Sequence, residues 1–196
     1  MDIVLVRHGV TAPNGAGCFI GRTDCGMAEE GFKQAAAVKR FLEGVPFDGI
    51  YASPLKRAVQ TAEVLGSPFF RDERLAEMNF GIFEGLTYPE IQNQYPEYLH
   101  LWNGGYLRYR IPGGESLEAV FIRVEEFIKE IQGNHKRALV ISHGGVIRCA
   151  LSLALSSRDH FYRFRADHGS VSIAAFEADY SYIKAVNLSS KKLDCF

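Results

Sequence analysis

Apolar positions recur along this chain in two rhythms. Continuous β-branched and aliphatic runs at 2–6 and 137–142, and a shorter one at 47–52, predict strands buried on both faces. Between them, apolar residues return at steps of three and four. Ala35, Val38 and Leu42 share a stripe and predict a helix over 29–43, with Gly44 as its stop. Leu117, Val120, Val124, Phe127 or Ile128, and Ile131 predict a long helix over 117–132. Ser53-Pro54 has the look of an N-cap followed by an N1 proline, which opens a helix running to Gly66. A further helix is expected from Val146, and a short strand at 69–71. Strands that alternate with helices imply an α/β class with a mostly parallel central sheet. The segments 171–176 and 182–188 supply an antiparallel edge.

The interruptions carry information too. Residues 12–25 form a polar, Gly-rich loop too long to be simple filler. Residues 86–114 are expected to be a helical insertion. Thr87 and Glu90 make a capping box, and Pro96 ends the short helix it opens. Rings crowd this insertion: Tyr88, Tyr95, Tyr98, Trp102, Tyr106 and Tyr109, with Arg108 and Arg110 among them. They form either the insertion's own small core or a lid that stacks an organic group. No repeat or linker divides the chain, so 1–196 is expected to be one domain, with a loosely held polar tail at 189–196.

Composition narrows the function classes. The 196 residues are 47% hydrophobic and 23% charged, in the ordinary globular range. A net charge of −1 gives no electrostatic case for nucleic acid or an anionic membrane. Cys18, Cys25, Cys149 and Cys195 show no metal-ligand spacing and are expected to be reduced thiols. No signal peptide or membrane span is evident, and a cytoplasmic location is expected.

The candidate chemistry lies where strands end. Arg7-His8-Gly9 follows the first run, so a fork-shaped cation and an imidazole nucleophile sit at the carboxyl edge of the sheet. His143-Gly144-Gly145 repeats the design after the run at 137–142. Arg57 falls in the first turn of its helix, beside the positive end of the dipole. Glu77 is flanked by apolar groups that favour its protonated form, a candidate general acid. Singly, Arg57 and Glu77 read as surface charges and His143 as a structural histidine. Together with Asn14 they would hold and attack a phosphoryl group without a metal, because the arginines supply the charge. His168 either borders the pocket or caps a loop, with the loop favoured, and His100, His135 and His160 read as surface residues.

The motifs Arg7-His8-Gly9-x-Thr11, Ser53-Pro54-Leu55-x-Arg57-Ala58, Leu75-x-Glu77-x-x-Phe80-Gly81-x-x-Glu84-Gly85, Pro112-Gly113-Gly114-Glu115-Ser116 and Ser142-His143-Gly144-Gly145 occur in an order that resembles the histidine phosphatase superfamily, also called the phosphoglycerate mutase-like family. That resemblance implies a three-layer α/β/α sandwich. It implies a transient phosphohistidine at His8, and a clamp of Arg7, Arg57, Asn14, His143 and the Gly144 N–H. Glu77 would protonate the leaving group and then activate water, and Arg22 and Thr23 would add phosphate-binding groups. No cofactor or metal is implied. The partner would be a small-molecule phosphate ester, and the oligomer a monomer or homodimer. Two departures stand out: Val10 replaces a frequent acidic residue, and Ala28 a frequent threonine cap. The short chain resembles the phosphatases more than the mutases, which carry longer insertions. Within the phosphatases, the 164–169 segment is similar to the alpha-ribazole phosphatases, which makes alpha-ribazole 5′-phosphate a candidate substrate. A phosphoglycerate mutase, or a catalytically silent phosphate-ester-binding protein, is the alternative.

Overall fold

The computed structural model describes residues 1–189. Strands β1 (Asp2–Arg7), β2 (Gly49–Ala52), β3 (Phe70–Arg71), β4 (Arg137–Ser142), β5 (Val171–Phe176) and β6 (Ser181–Leu188) form one sheet in the order β3-β2-β4-β1-β5-β6. The first four of that order run parallel, and antiparallel ladders join β1 to β5 and β5 to β6.

The strands divide their side chains between two helical layers, as the alternation of the pleat requires. Ile3, Leu5, Ala138 and Val140 face the core built with α6 (Leu117–Ile131) and α7 (Gly144–Ala154). Val4, Val6, Leu139 and Ile141 face α2 (Glu29–Phe41) and α3 (Lys56–Leu65) on the other side. The result is the three-layer sandwich.

Four local expectations are corrected. The 12–25 segment is not loop throughout: α1 (Ala12–Gly15) forms one turn, because Thr11 Oγ1 accepts from Asn14 N–H and Pro13 suits the first turn. The α3 helix starts at Lys56, with Leu55 at the N-cap position, so Ser53 is not its cap. Pro96 does not merely end α4 (Tyr88–Gln94); it opens α5 (Pro96–Gly105), since an N1 proline has no amide to leave unpaired. Finally, α7 begins at Gly144, two residues before the expected start.

The capping box of Thr87 and Glu90 and the uncapped Ala28 are as the sequence indicated. The insertion's rings divide. Tyr95, Trp102, Tyr106 and Tyr109 pack against the α6–α7 core, while Tyr88 and Tyr98 are exposed. Of the tail expected at 189–196, all but Ser189 lies outside the described residues, as does Cys195; Cys18, Cys25 and Cys149 are free thiols. Among the described residues, no helix is long and apolar enough to cross a membrane.

Candidate active site

Parallel register builds the site. Arg7 pairs with Ser142 and Ala52 with Ile141, so β1, β4 and β2 end level with one another. The next residues, His8, His143 and Ser53, therefore emerge side by side at the carboxyl edge. His8 N–H donates to Ser142 O at 3.0 Å, and Ser53 N–H to Ile141 O at 2.9 Å. The His8 and His143 ring centroids are 4.9 Å apart, close to the spacing of adjacent strands.

Both imidazoles are sequestered, His8 at 2% exposure and His143 at 0%. His8 Nδ1–H donates to Gly9 O at 2.8 Å, which leaves Nε2 with its lone pair. Burial, and then the Arg7 and Arg57 cations, hold His8 well below the usual imidazole range. Burial, and then His8 and the same cations, do so for His143. The His8 imidazole is thus neutral at physiological pH. His143 Nε2 meets Ser53 Oγ at 2.7 Å, and its Nδ1 is buried with no protein partner.

Two guanidinium groups flank the rings. Arg7 Nη1 donates to Ala166 O at 2.6 Å, and burial lowers this side chain to about 10, which still leaves it cationic at neutral pH. It lies against the first residue of α7, where a Cβ on Gly144 would be 3.3 Å from Cζ. Arg57 is wholly buried, not the surface charge it would have been alone. Its Nη1 donates to Thr23 O at 3.0 Å and its Nη2 to Gly21 O at 2.7 Å, while its Nε has no partner.

Glu77 sits on the loop between the 3₁₀ turns Glu73–Leu75 and Gly81–Phe83. Ser142 Oγ–H donates to Leu75 O at 2.7 Å and ties that loop to the end of β4. Glu115 supports it from behind, accepting from Asn79 N–H at 2.8 Å. The Glu77 carboxylate accepts from the backbone N–H groups of Gly145 and Met78, each at 3.0 Å, and is only 8% exposed. The first-turn amides of α7 and its positive dipole end face the same place.

Beside Arg7 and Glu77 lies a cavity of about 380 Å³, which His8, His143 and Arg57 do not line. Arg7, Asn14, Glu77, Gly144 and Arg148 line its polar part, and Phe19, Phe80, Trp102, Tyr106, Phe161 and Tyr162 its walls. Asn14 Oδ1 accepts from Thr11 Oγ1, so its NH₂ is the group it can offer to the cavity. Among the described residues, no cluster of His, Cys, Asp or Glu side chains could hold a metal ion.

A family model, the histidine phosphatase superfamily (branch 1), matches residues 3–189. The chain belongs to this superfamily. Phosphoserine phosphatase 1 of Hydrogenobacter thermophilus is 31% identical over 197 residues, covering 96% of this chain and 93% of its own. The 6-phosphofructo-2-kinase/fructose-2,6-bisphosphatase 1 of Rattus norvegicus is 38% identical over 156 residues, which is 79% of this chain; the match spans about a third (32%) of the rat protein. The crystal structure of the alpha-ribazole phosphatase from Shigella flexneri shares the fold with a TM-score of 0.88 at 26% identity, with 96% of each chain covered.

In this member of the superfamily, two of the anticipated phosphate-binding residues turn away. Thr23 gives its N–H and its hydroxyl to Glu84, and Arg22 gives its N–H to the same carboxylate. The Arg22 guanidinium reaches Glu73 at 3.4 Å, at the surface. Glu84 also takes the N–H groups of Gly21 and Phe80. Burial pushes Glu84 up, but these bonds, led by the Thr23 hydroxyl, outweigh it and hold the carboxyl below its usual value. The 20–23 segment is thus pinned between Glu84 and Arg57 and serves as a wall.

Three groups at the site were not assigned to it from the sequence. Ser53 resembled a helix cap, although its position straight after a buried strand was a usable signal. Arg148, one turn into α7, lines the cavity. His168, for which the sequence favours a loop cap over the pocket's border, has its ring edge-on to His8 at 5.2 Å. His135 is half-buried against Tyr51, its Nε2 2.8 Å from the phenol oxygen.

Proposed function

We propose that the protein is a metal-independent phosphomonoester hydrolase that works through a phosphohistidine at His8 and acts on a small phosphorylated metabolite. One observation carries this reading: the neutral His8, tethered through Nδ1 to Gly9 O, lies beside His143 and next in sequence to Arg7, which with Glu77 and Gly144 lines the cavity. His8 Nε2 attacks phosphorus and the ester P–O bond breaks. Arg7, Arg57, the Gly144 N–H and the Asn14 NH₂ bind the phosphoryl oxygens. In the tautomer we assign to His143, the Ser53 hydroxyl donates to Nε2, and Nδ1–H is left for the anion. Glu77 gives its proton to the departing alkoxide. It then takes one from a water that attacks the phosphohistidine, which releases phosphate and regenerates His8. Two guanidinium groups take the part that Mg²⁺ plays elsewhere in phosphoryl transfer.

The walls favour a leaving group with a flat ring, since Trp102, Tyr106 and Tyr162 offer faces and edges for stacking. On that basis, and on the likeness to the Shigella flexneri enzyme, alpha-ribazole 5′-phosphate is our first candidate. The test is a screen of phosphate esters that includes it, phosphoserine, and 3-phosphoglycerate with catalytic 2,3-bisphosphoglycerate. We expect phosphate release that survives EDTA, an acid-labile phosphoenzyme, and loss of both in His8→Ala. Turnover undiminished in that variant would overturn the mechanism. Isomer formation without phosphate release would make the protein a mutase, and ester binding without turnover a silent binder.

A further inference from the structure

The proposed reaction leaves His168 without a task, yet its loop is tied down on both sides. Arg7 Nη1 donates to Ala166 O, and Arg7 N–H to Ser170 O at 3.1 Å. Gly169 N–H reaches the carbonyls of Arg7 and His8 at 3.1 and 3.3 Å. On the other side, Asp167 N–H donates to Asn187 Oδ1 at 2.6 Å, and Asn187 Nδ2 to Asp167 Oδ2 at 3.0 Å. Both neighbours of His168 are therefore fixed, the first to β6 and the second to the strand that carries the nucleophile. The ring is held against His8 with an interplanar angle of 61°.

Packing alone does not explain a histidine here. Its Nε2 is buried and has no protein partner. Such a nitrogen costs stability that a phenylalanine ring in the same place would not. Arg7 Nε, Arg57 Nε and His143 Nδ1, which belong to the same site, share the deficit. A tetrahedral anion, with several acceptor oxygens, is the ligand that such a set of donors suits.

We infer that His168 is a third imidazole of the phosphoryl site, donating a hydrogen bond to an oxygen of the group that His8 attacks and then carries. The inference rests on the phosphohistidine reading above. Burial, and then the Arg7 cation, bring His168 down to about 3, so it is neutral at working pH and has one N–H to give. It acts as a donor, not as a second base.

The test compares the full-length wild type with His168→Phe, His168→Leu and His168→Asn. Inorganic phosphate binding is measured by calorimetry, the p-nitrophenolate burst by rapid mixing, and folding by thermal melting. Phe and Leu are expected to weaken phosphate binding and slow the burst about ten- to hundredfold, with melting unchanged or raised. Asn, which keeps an N–H donor, is expected to recover much of both losses. The inference fails if either apolar variant stays within about twofold of wild type, or if Asn is no better than Phe. It fails equally if the losses merely follow a drop in melting temperature. A wild type that forms no phosphohistidine would sink the hydrolase reading instead, while the phosphate-binding arm still judges His168.

Discussion

The Glu77 carboxylate and the backbone of Gly145 occupy adjoining space: Oε2 accepts the Gly145 N–H at 3.0 Å, and a side chain at 145 would collide with Oε1. Glycine here makes room for the carboxyl that we propose as the general acid. Gly145→Ala should therefore misplace Glu77 and lower kcat by about 10²-fold, a usual cost of a displacement near 1 Å. Alkyl phosphates, which need a proton for departure, should suffer more than p-nitrophenyl phosphate, which does not. Equal losses on the two substrates would count against Glu77 as the acid.

Ser53 Oγ hydrogen-bonds the His143 ring through the 2.7 Å contact to Nε2, and both residues are fully buried. Ser53→Ala leaves that nitrogen unsatisfied at a cost of about 1–3 kcal/mol. Melting temperature should fall by roughly 3–10 °C. Phosphate binding should weaken as well, because His143 is free to turn. An Ala variant with native melting and binding would show that the contact contributes nothing.

Ala28 stands at the N-cap of α2 with no side-chain hydrogen bond to the helix, although its backbone is already extended (φ −75°, ψ 168°). Ala28→Ser should add about 1 kcal/mol of stability, seen as a rise of roughly 2–4 °C in Tm. Activity should not change, because residue 28 takes no part in the chemistry. An unchanged Tm would contradict the capping argument.

Three imidazoles in this protein refuse protons. Burial first, and the nearby Arg7 and Arg57 cations after it, hold His8, His143 and His168 below the reference value of 6.5, the last at about 3. Their native pKa values are depressed, so below 6.5 the unfolded chain binds protons that the native state does not. Stability is lost as pH falls through that window, by about 1.4 kcal/mol per histidine per pH unit. Three such groups give a drop on the order of 3 kcal/mol between pH 6 and pH 5. Urea midpoints across pH 5–8 would check this, and His168→Phe should flatten the slope by about a third. A flat profile in the wild type would refute it.

Much of this protein could be read locally. The runs at 2–6 and 137–142 are buried strands because nothing polar interrupts them. The stripe from Leu117 to Ile131 is a buried face because its spacing follows the helical turn. Arg7, His8 and His143 stand out in the sequence because they lie at the end of such a strand or one residue past it, where an α/β sheet presents its ends; Arg57 stands out by its place in a helix's first turn and Glu77 by its apolar neighbours. Pairing across the chain was not accessible in this way. The register that sets Arg7 opposite Ser142, and so brings His8 within 4.9 Å of His143, joins segments 135 positions apart. Partner choice in loops was equally hidden: Ser53 turned from its helix to His143, Thr23 and Arg22 turned to Glu84, and His168 came to rest on His8. Periodicity encodes which face of an element meets the core, since that is decided within a few residues. Which polar side chains meet at the sheet's edge depends on how distant elements dock, and only the folded arrangement decides that.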